Sequence, residues 1–301
     1  MPTARFRVRP PSLGTLTALA TVLGATLSVS RPLTAQQQRR GPSGPMREAM
    51  QLDLQGKTAQ ARQIFQAMID SAADPAAKAQ AQRAMAMSYA FDGDCANTLK
   101  YEQMAMAYWH SQEQADPQNA FYQEGELADE GARVCIDAGD LDAAETWYRK
   151  GHQYGLQEPQ PRTHPASLWD FRLAHALGRI AARRGDKAEA QRQIGAARKA
   201  LDSDSAVAAQ QERFFPYLVG YVALYTGDLP TAQTQLEKAI AMRGNNRDPF
   251  MHYLLGLTYE RQGKQDQANA MFKKAYDLAR GHNPPAAAVR RALRGRVSSG
   301  G

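Results

Sequence analysis

Cysteine, aromatic side chains and an excess of either charge are all scarce in this chain. Two cysteines, Cys95 and Cys135, are too few for a disulfide-built small domain. Aromatics make up 8% of the 301 residues, so a core must rely on small side chains and close helix contact. The formal net charge of +7 is partly a property of the N-terminus. Leaving out Arg5, Arg7, Arg9 and Arg31 there reduces the 37 basic residues to 33, against 30 acidic ones. That near balance gives no reason to expect a nucleic-acid partner. There is no GxSxG, HExxH, P-loop or GxGxxG motif, and the six histidines lack ligand spacing. The chain is therefore expected to be no enzyme and to hold neither metal nor cofactor. β-Branched residues are sparse while Ala and Gln abound, which favours helix.

Residues 1–35 have the layout of a cleaved signal peptide. Arg5, Arg7 and Arg9 form a positive start, Leu13 to Val29 an apolar run, and Ala35 a small residue before the expected cut. The same run, retained, would be a membrane anchor, although it is short and rich in Thr for a span. Export to the periplasm or beyond follows from the first reading and membrane attachment from the second. In an exported chain Cys95 and Cys135 invite a disulfide; the alternative is two buried free thiols. Residues 36–45 read as a flexible lead-in and 297–301 as a disordered tail.

Between them a pattern recurs. Turns are marked by Gly56-Lys57, Gly93-Asp94, Gly139-Asp140, Gly185-Asp186, Gly227-Asp228 and Gly263-Lys264, at spacings of 36 to 46 residues. Such a glycine ends one helix in a left-handed conformation and the next residue opens another. After most turns a small, a large and a small residue follow at helical spacing, as in Ala268, Phe272 and Ala275. Ahead of them Leu255, Gly256 and Tyr259 share the partner helix. Asp74-Pro75, Asp116-Pro117 and Asp248-Pro249 read as helix starts with a capping carboxylate. One such hairpin cannot bury its own apolar face, so tandem copies are required.

The last hairpin resembles the tetratricopeptide repeat (TPR) family at Leu255, Gly256, Tyr259, Gly263, Ala268, Phe272 and Ala275, with His252 where the family prefers Trp. The earlier hairpins match in part. The resemblance implies an all-α fold: a right-handed α-α superhelix, or solenoid, of about six helix-turn-helix hairpins with a C-terminal capping helix. Hairpins one to three fall in 46–157 and four to six in 166–281. The Pro-rich connection 158–165 is a possible break between halves, and 282–296 forms a polar cap over the last repeat. Pro216 should kink a helix or mark its start.

In this family the first helix of each hairpin lines a concave groove. Helical spacing then places Arg172, His175, Arg179 and Arg183 in the groove from the fourth hairpin. Phe214, Tyr217, Tyr221 and Tyr225 follow from the fifth, and Phe250, Tyr253 and Leu257 from the sixth. Glu126, Asp129, Arg133 and Asp137 come from the third. A basic wall beside an aromatic floor suits an extended peptide with apolar side chains and a carboxylate. The competing reading makes the aromatics inter-helix packing and the arginines a solvated face. Likewise Glu124, Glu126, Asp129 and Glu130 read as a solvated acidic face. The expected function is an exported, non-catalytic scaffold for a protein or peptide partner. The alternatives are a membrane-tethered assembly factor and a solenoid presenting substrate to an enzyme.

Overall fold

The computed structural model describes residues 44–297. The expected signal segment, nearly all of the lead-in and the last four residues lie outside the described residues. Twelve helices pair into six hairpins. These are α1 (Gly44–Leu54) with α2 (Thr58–Asp70), α3 (Pro75–Asp92) with α4 (Cys95–His110), and α5 (Pro117–Ala138) with α6 (Leu141–Leu156). Next come α7 (Ala166–Arg184) with α8 (Lys187–Asp202). A short α9 (Ser205–Gln211) and a 3-10 turn (Glu212–Phe214) lead into α10 (Phe215–Thr226), which pairs with α11 (Leu229–Ala241). Finally α12 (Pro249–Arg261) pairs with α13 (Gln265–Leu278), and α14 (Pro284–Ala292) closes the chain. No strand occurs among the described residues. The fold is an all-α, TPR-like solenoid.

The turn chemistry is local. Gly93 and Gly139 stand at φ +72° and +96°, where a side chain would be strained. The Asp94, Asp140, Asp186 and Asp228 carboxylates after the turn glycines accept a backbone N–H from the next helix's first turn. Asp74 and Asp248 cap as expected. Asp116 stands at its helix start, but its side chain makes no capping hydrogen bond. Pro216 lies in the first turn of α10 and marks its start, where a missing N–H costs nothing. Within each hairpin the small residues set the helix spacing. A Cβ on Gly256 would lie 2.6 Å from the Phe272 ring, and one on Gly220 2.8 Å from Leu236.

Two expectations about organisation change. The 158–165 connection does not divide the array, because α6 packs on α7 across it. Its own polar groups pin it: buried Glu158 accepts from the Thr163 and His164 backbone N–H groups, and Arg162 donates to the Leu156 carbonyl. Trp169, fully buried, fills the space left open by Gly125 of α5 and Gly155 of α6. Nor is α14 a polar lid on the last repeat alone. Pro284, Ala286 to Ala288 and Val289 are all buried, and the helix packs on α12 and α13 of the last hairpin and on α3 and α5 of the second and third. Just before it, His282 Nε2 meets buried Asp53 Oδ2 at 2.8 Å, across 229 residues of sequence. Arg291 donates to the Asp137 carbonyl at 2.5 Å. The last helix thus ties the two ends of the solenoid together.

Candidate functional site: a central cavity

On the concave side of the array, where the last helix meets earlier hairpins, lies a solvent-open cavity of about 400 Å³. The second to sixth hairpins each contribute first-helix residues or the loops leading into them, and Pro284 and Pro285 of α14 complete the lining. Of the fifteen residues expected in a groove, Glu126, Asp129, Arg133, Arg172, His175, Arg179, Phe214 and Tyr217 line this cavity. The other seven, Leu257 and Asp137 among them, do not. Tyr221 and Phe250 are buried in the core shared by the fifth and sixth hairpins, and Tyr225 and Tyr253 pack against that core. Arg183 lies over the Tyr225 ring, 5.0 Å from its centroid, with its Nη1 3.4 Å from the Tyr221 hydroxyl. The aromatic floor is therefore largely inter-helix packing.

The acidic segment of α5 is not a solvated face. Glu126, Asp129 and Glu130 point into the cavity, and Glu124 is buried elsewhere, with 2% of its surface exposed. Glu126 pairs with Arg172, and Glu130 with Arg83 at 2.6 Å. Burial, against the pull of Arg172, pushes Asp129 up to about 8, so at neutral pH its carboxyl is mostly protonated. Burial beside Arg179 and Arg133 holds His175 well below the usual imidazole range, hence neutral. That leaves two guanidinium groups with no carboxylate at ion-pair distance among the described residues. Arg133 lies over the Phe250 ring at 5.0 Å. Arg179, 4% exposed, donates to the Tyr148 hydroxyl at 2.9 Å and to the His175 carbonyl at 3.3 Å. Arg133 Nε, His175 Nε2 and the Tyr217 hydroxyl have no hydrogen-bond partner in the protein. Phe171, Phe214 and Met251 supply apolar wall. The chamber thus combines uncommitted donors and a net positive interior with aromatic surface, a combination suited to an anionic group on an apolar body.

The helical spacing of α5 already marked Glu126, Asp129 and Arg133 as facing inward. Tyr148, on a second helix, and the two prolines of α14 carried no such signal.

The TPR family model matches residues 251–282, which span α12, its turn and α13. No curated protein matches the chain. Among solved structures it is similar to MamA, residues 41 to the end, from Desulfovibrio magneticus RS-1. That match has 17% identity over 67% of this chain and 95% of the other, with a TM-score of 0.31. A second MamA crystal structure matches at 20% identity over 62% and 93%, TM-score 0.31. YrrB, described as a TPR protein with an unusual peptide-binding site, matches at 16% identity over 65% and 93%, TM-score 0.30. The sixth hairpin thus carries a matched tetratricopeptide repeat, and the five hairpins before it share its helix-turn-helix build.

Proposed function

We propose that the protein is an exported, non-catalytic scaffold that takes an extended segment of a protein or peptide partner in its central cavity. The carrying observation is the pair of unsatisfied donors at one chamber, Arg133 Nε and the Tyr217 hydroxyl, beside the unpaired charges of Arg133 and Arg179. Buried donors without acceptors cost stability, and an anionic segment would satisfy them. At about 400 Å³ the cavity admits a terminus or a short segment and not a folded domain. Export is supported by the signal-like N-terminus and by the disulfide between Cys95 and Cys135, whose Cα atoms are 4.8 Å apart. That bond joins the second hairpin to the third.

The test is affinity capture from envelope extract with the mature chain as bait, alongside Tyr217→Phe and Arg133→Met baits. Tyr217→Phe removes only the hydroxyl, so it should recover markedly less of the specific partner at an unchanged melting temperature. Recovery of the same proteins in the same amounts by all three baits would refute the cavity as the binding site. The mass of the mature N-terminus separates the exported form from a tethered assembly factor.

A further inference from the structure

A second group of side chains, far from the cavity in chemistry and in role, gathers where the second hairpin passes into the third. His110 is the last residue of α4, Glu113 lies in the turn that follows, and Glu124 stands two turns into α5. His110 Nδ1 is 2.8 Å from Glu113 Oε1 and 3.6 Å from Glu124 Oε1. One ligand atom from each of the three falls within 4.8 Å of the others. Ligands of one metal at roughly 2.0–2.2 Å stand about 3–3.5 Å apart in a tetrahedron, so a modest side-chain rotation brings all three onto a common centre.

Acidic groups near a histidine are common on protein surfaces, and by themselves they mark nothing. The distinguishing residue here is Glu124. It is 98% removed from solvent by its 2% exposure, and its Oε2 has no hydrogen-bond partner in the protein. A buried carboxylate oxygen with no donor is costly to keep, and its partner groups lead outward: Glu113 is half-buried and His110 is exposed. The geometry is a buried anchor with two more accessible ligands, open to entry from solvent.

We propose that His110, Glu113 and Glu124 bind a divalent cation of the zinc type, with water in the fourth position, clasping the end of α4 to α5. One imidazole and two carboxylates suit zinc. Calcium needs six or more oxygen ligands and magnesium a near-octahedral oxygen shell, and neither set is present. The ion fastens the turn between two repeats and takes no part in the cavity. The site therefore stands or falls independently of the peptide-binding role.

The test uses the untagged full chain, stripped of metal with a chelator and titrated with zinc chloride. Magnesium and calcium chloride are titrated in parallel. Calorimetry should show one equivalent of zinc bound, with magnesium and calcium bound far more weakly. Zinc should also raise the melting temperature and protect the 111–116 turn from proteolysis. His110→Ala and Glu113→Gln, both away from the core, should each weaken zinc binding at least tenfold and remove the shift in melting temperature. His152→Ala, a histidine that meets Asp170 elsewhere, should leave both intact. Glu124→Gln should abolish binding; should it fail to fold, the two outer variants still decide. Absence of zinc binding, or binding unchanged in His110→Ala and Glu113→Gln, would overturn the site.

Discussion

Asp129 couples the stability of this protein to pH in a direction opposite to that of a salt-bridged carboxylate. Its side chain lines the cavity, and burial lifts it to about 8, from roughly 3.9 in an unfolded chain. Below both values the carboxyl is protonated in either state and contributes nothing to the pH dependence. Between them the unfolded chain releases a proton that the folded chain keeps, so stability falls as pH rises from about 4 to about 8. Asp137 and Glu102, also raised by burial, act in the same direction. Asp129→Asn keeps the shape and removes the ionisation. Urea unfolding should find the variant equal to wild type near pH 4. At pH 8 it should be more stable by about 1–3 kcal/mol, a figure reduced because cavity solvent screens part of the penalty. Equal pH slopes in both proteins would place the coupling elsewhere. A second contrast concerns two tyrosines one turn apart. Tyr221 is fully buried, and Tyr221→Ala should cost about 3–5 kcal/mol in thermal or chemical unfolding, whereas Tyr217→Phe should cost far less. Helical spacing put both tyrosines in the groove. A step of four residues advances a helix face by about 40°, so the row from Tyr217 to Tyr225 turns away from the concave side. Periodicity shows that residues share a face; it does not say which neighbour that face meets.

At the scale of the element, the hairpins were legible because their contacts are local. The small residue at Gly256, the large one at Phe272 and the turn glycine between them describe a close helix pair wherever they occur at this spacing. Their packing makes a sharp demand. A Cβ at Gly256 would fall 2.6 Å from the Phe272 ring, so Gly256→Leu should overpack the sixth hairpin and cost about 1–3 kcal/mol, measured as a drop in melting temperature. An unchanged midpoint would contradict this packing. Elements whose reason lies outside the hairpin stayed hidden. Neither α9 nor the 3-10 turn before α10 belongs to the repeat pattern. The acidic residues of α5 read equally as a solvated face and as groove lining, because one helical pattern serves both and only the curvature of the array decides between them. His110, Glu113 and Glu124 come together only in the fold, from the end of α4, the turn after it and a point two turns into α5.

The closure of the whole molecule rests on contacts that no local pattern records, and it carries the most severe prediction. A terminal cap in a repeat array presents a polar outer face to solvent. Here α14 is short, Ala-rich and apolar on several sides, and it is buried between the first half of the array and the last. His282, immediately ahead of it, stacks on Phe91, packs tilted against Phe65, with ring centroids 5.5 and 5.7 Å away, and holds Asp53, which also accepts from Ser88 at 2.7 Å. Asp53 is 1% exposed, so removing the imidazole leaves a buried carboxylate with one hydroxyl for company. Breaking a buried pair in this way costs about 3–5 kcal/mol. His282→Ala should therefore lower stability by that order, and the loss should not be confined to the C-terminus. Hydrogen exchange should quicken in α1 and α3 as well as in α14, because each end is held by the other. If exchange rises in α14 alone while the first two hairpins keep their protection, the ends are not coupled. The cavity would then owe its shape to the curvature of the hairpins without help from the last helix.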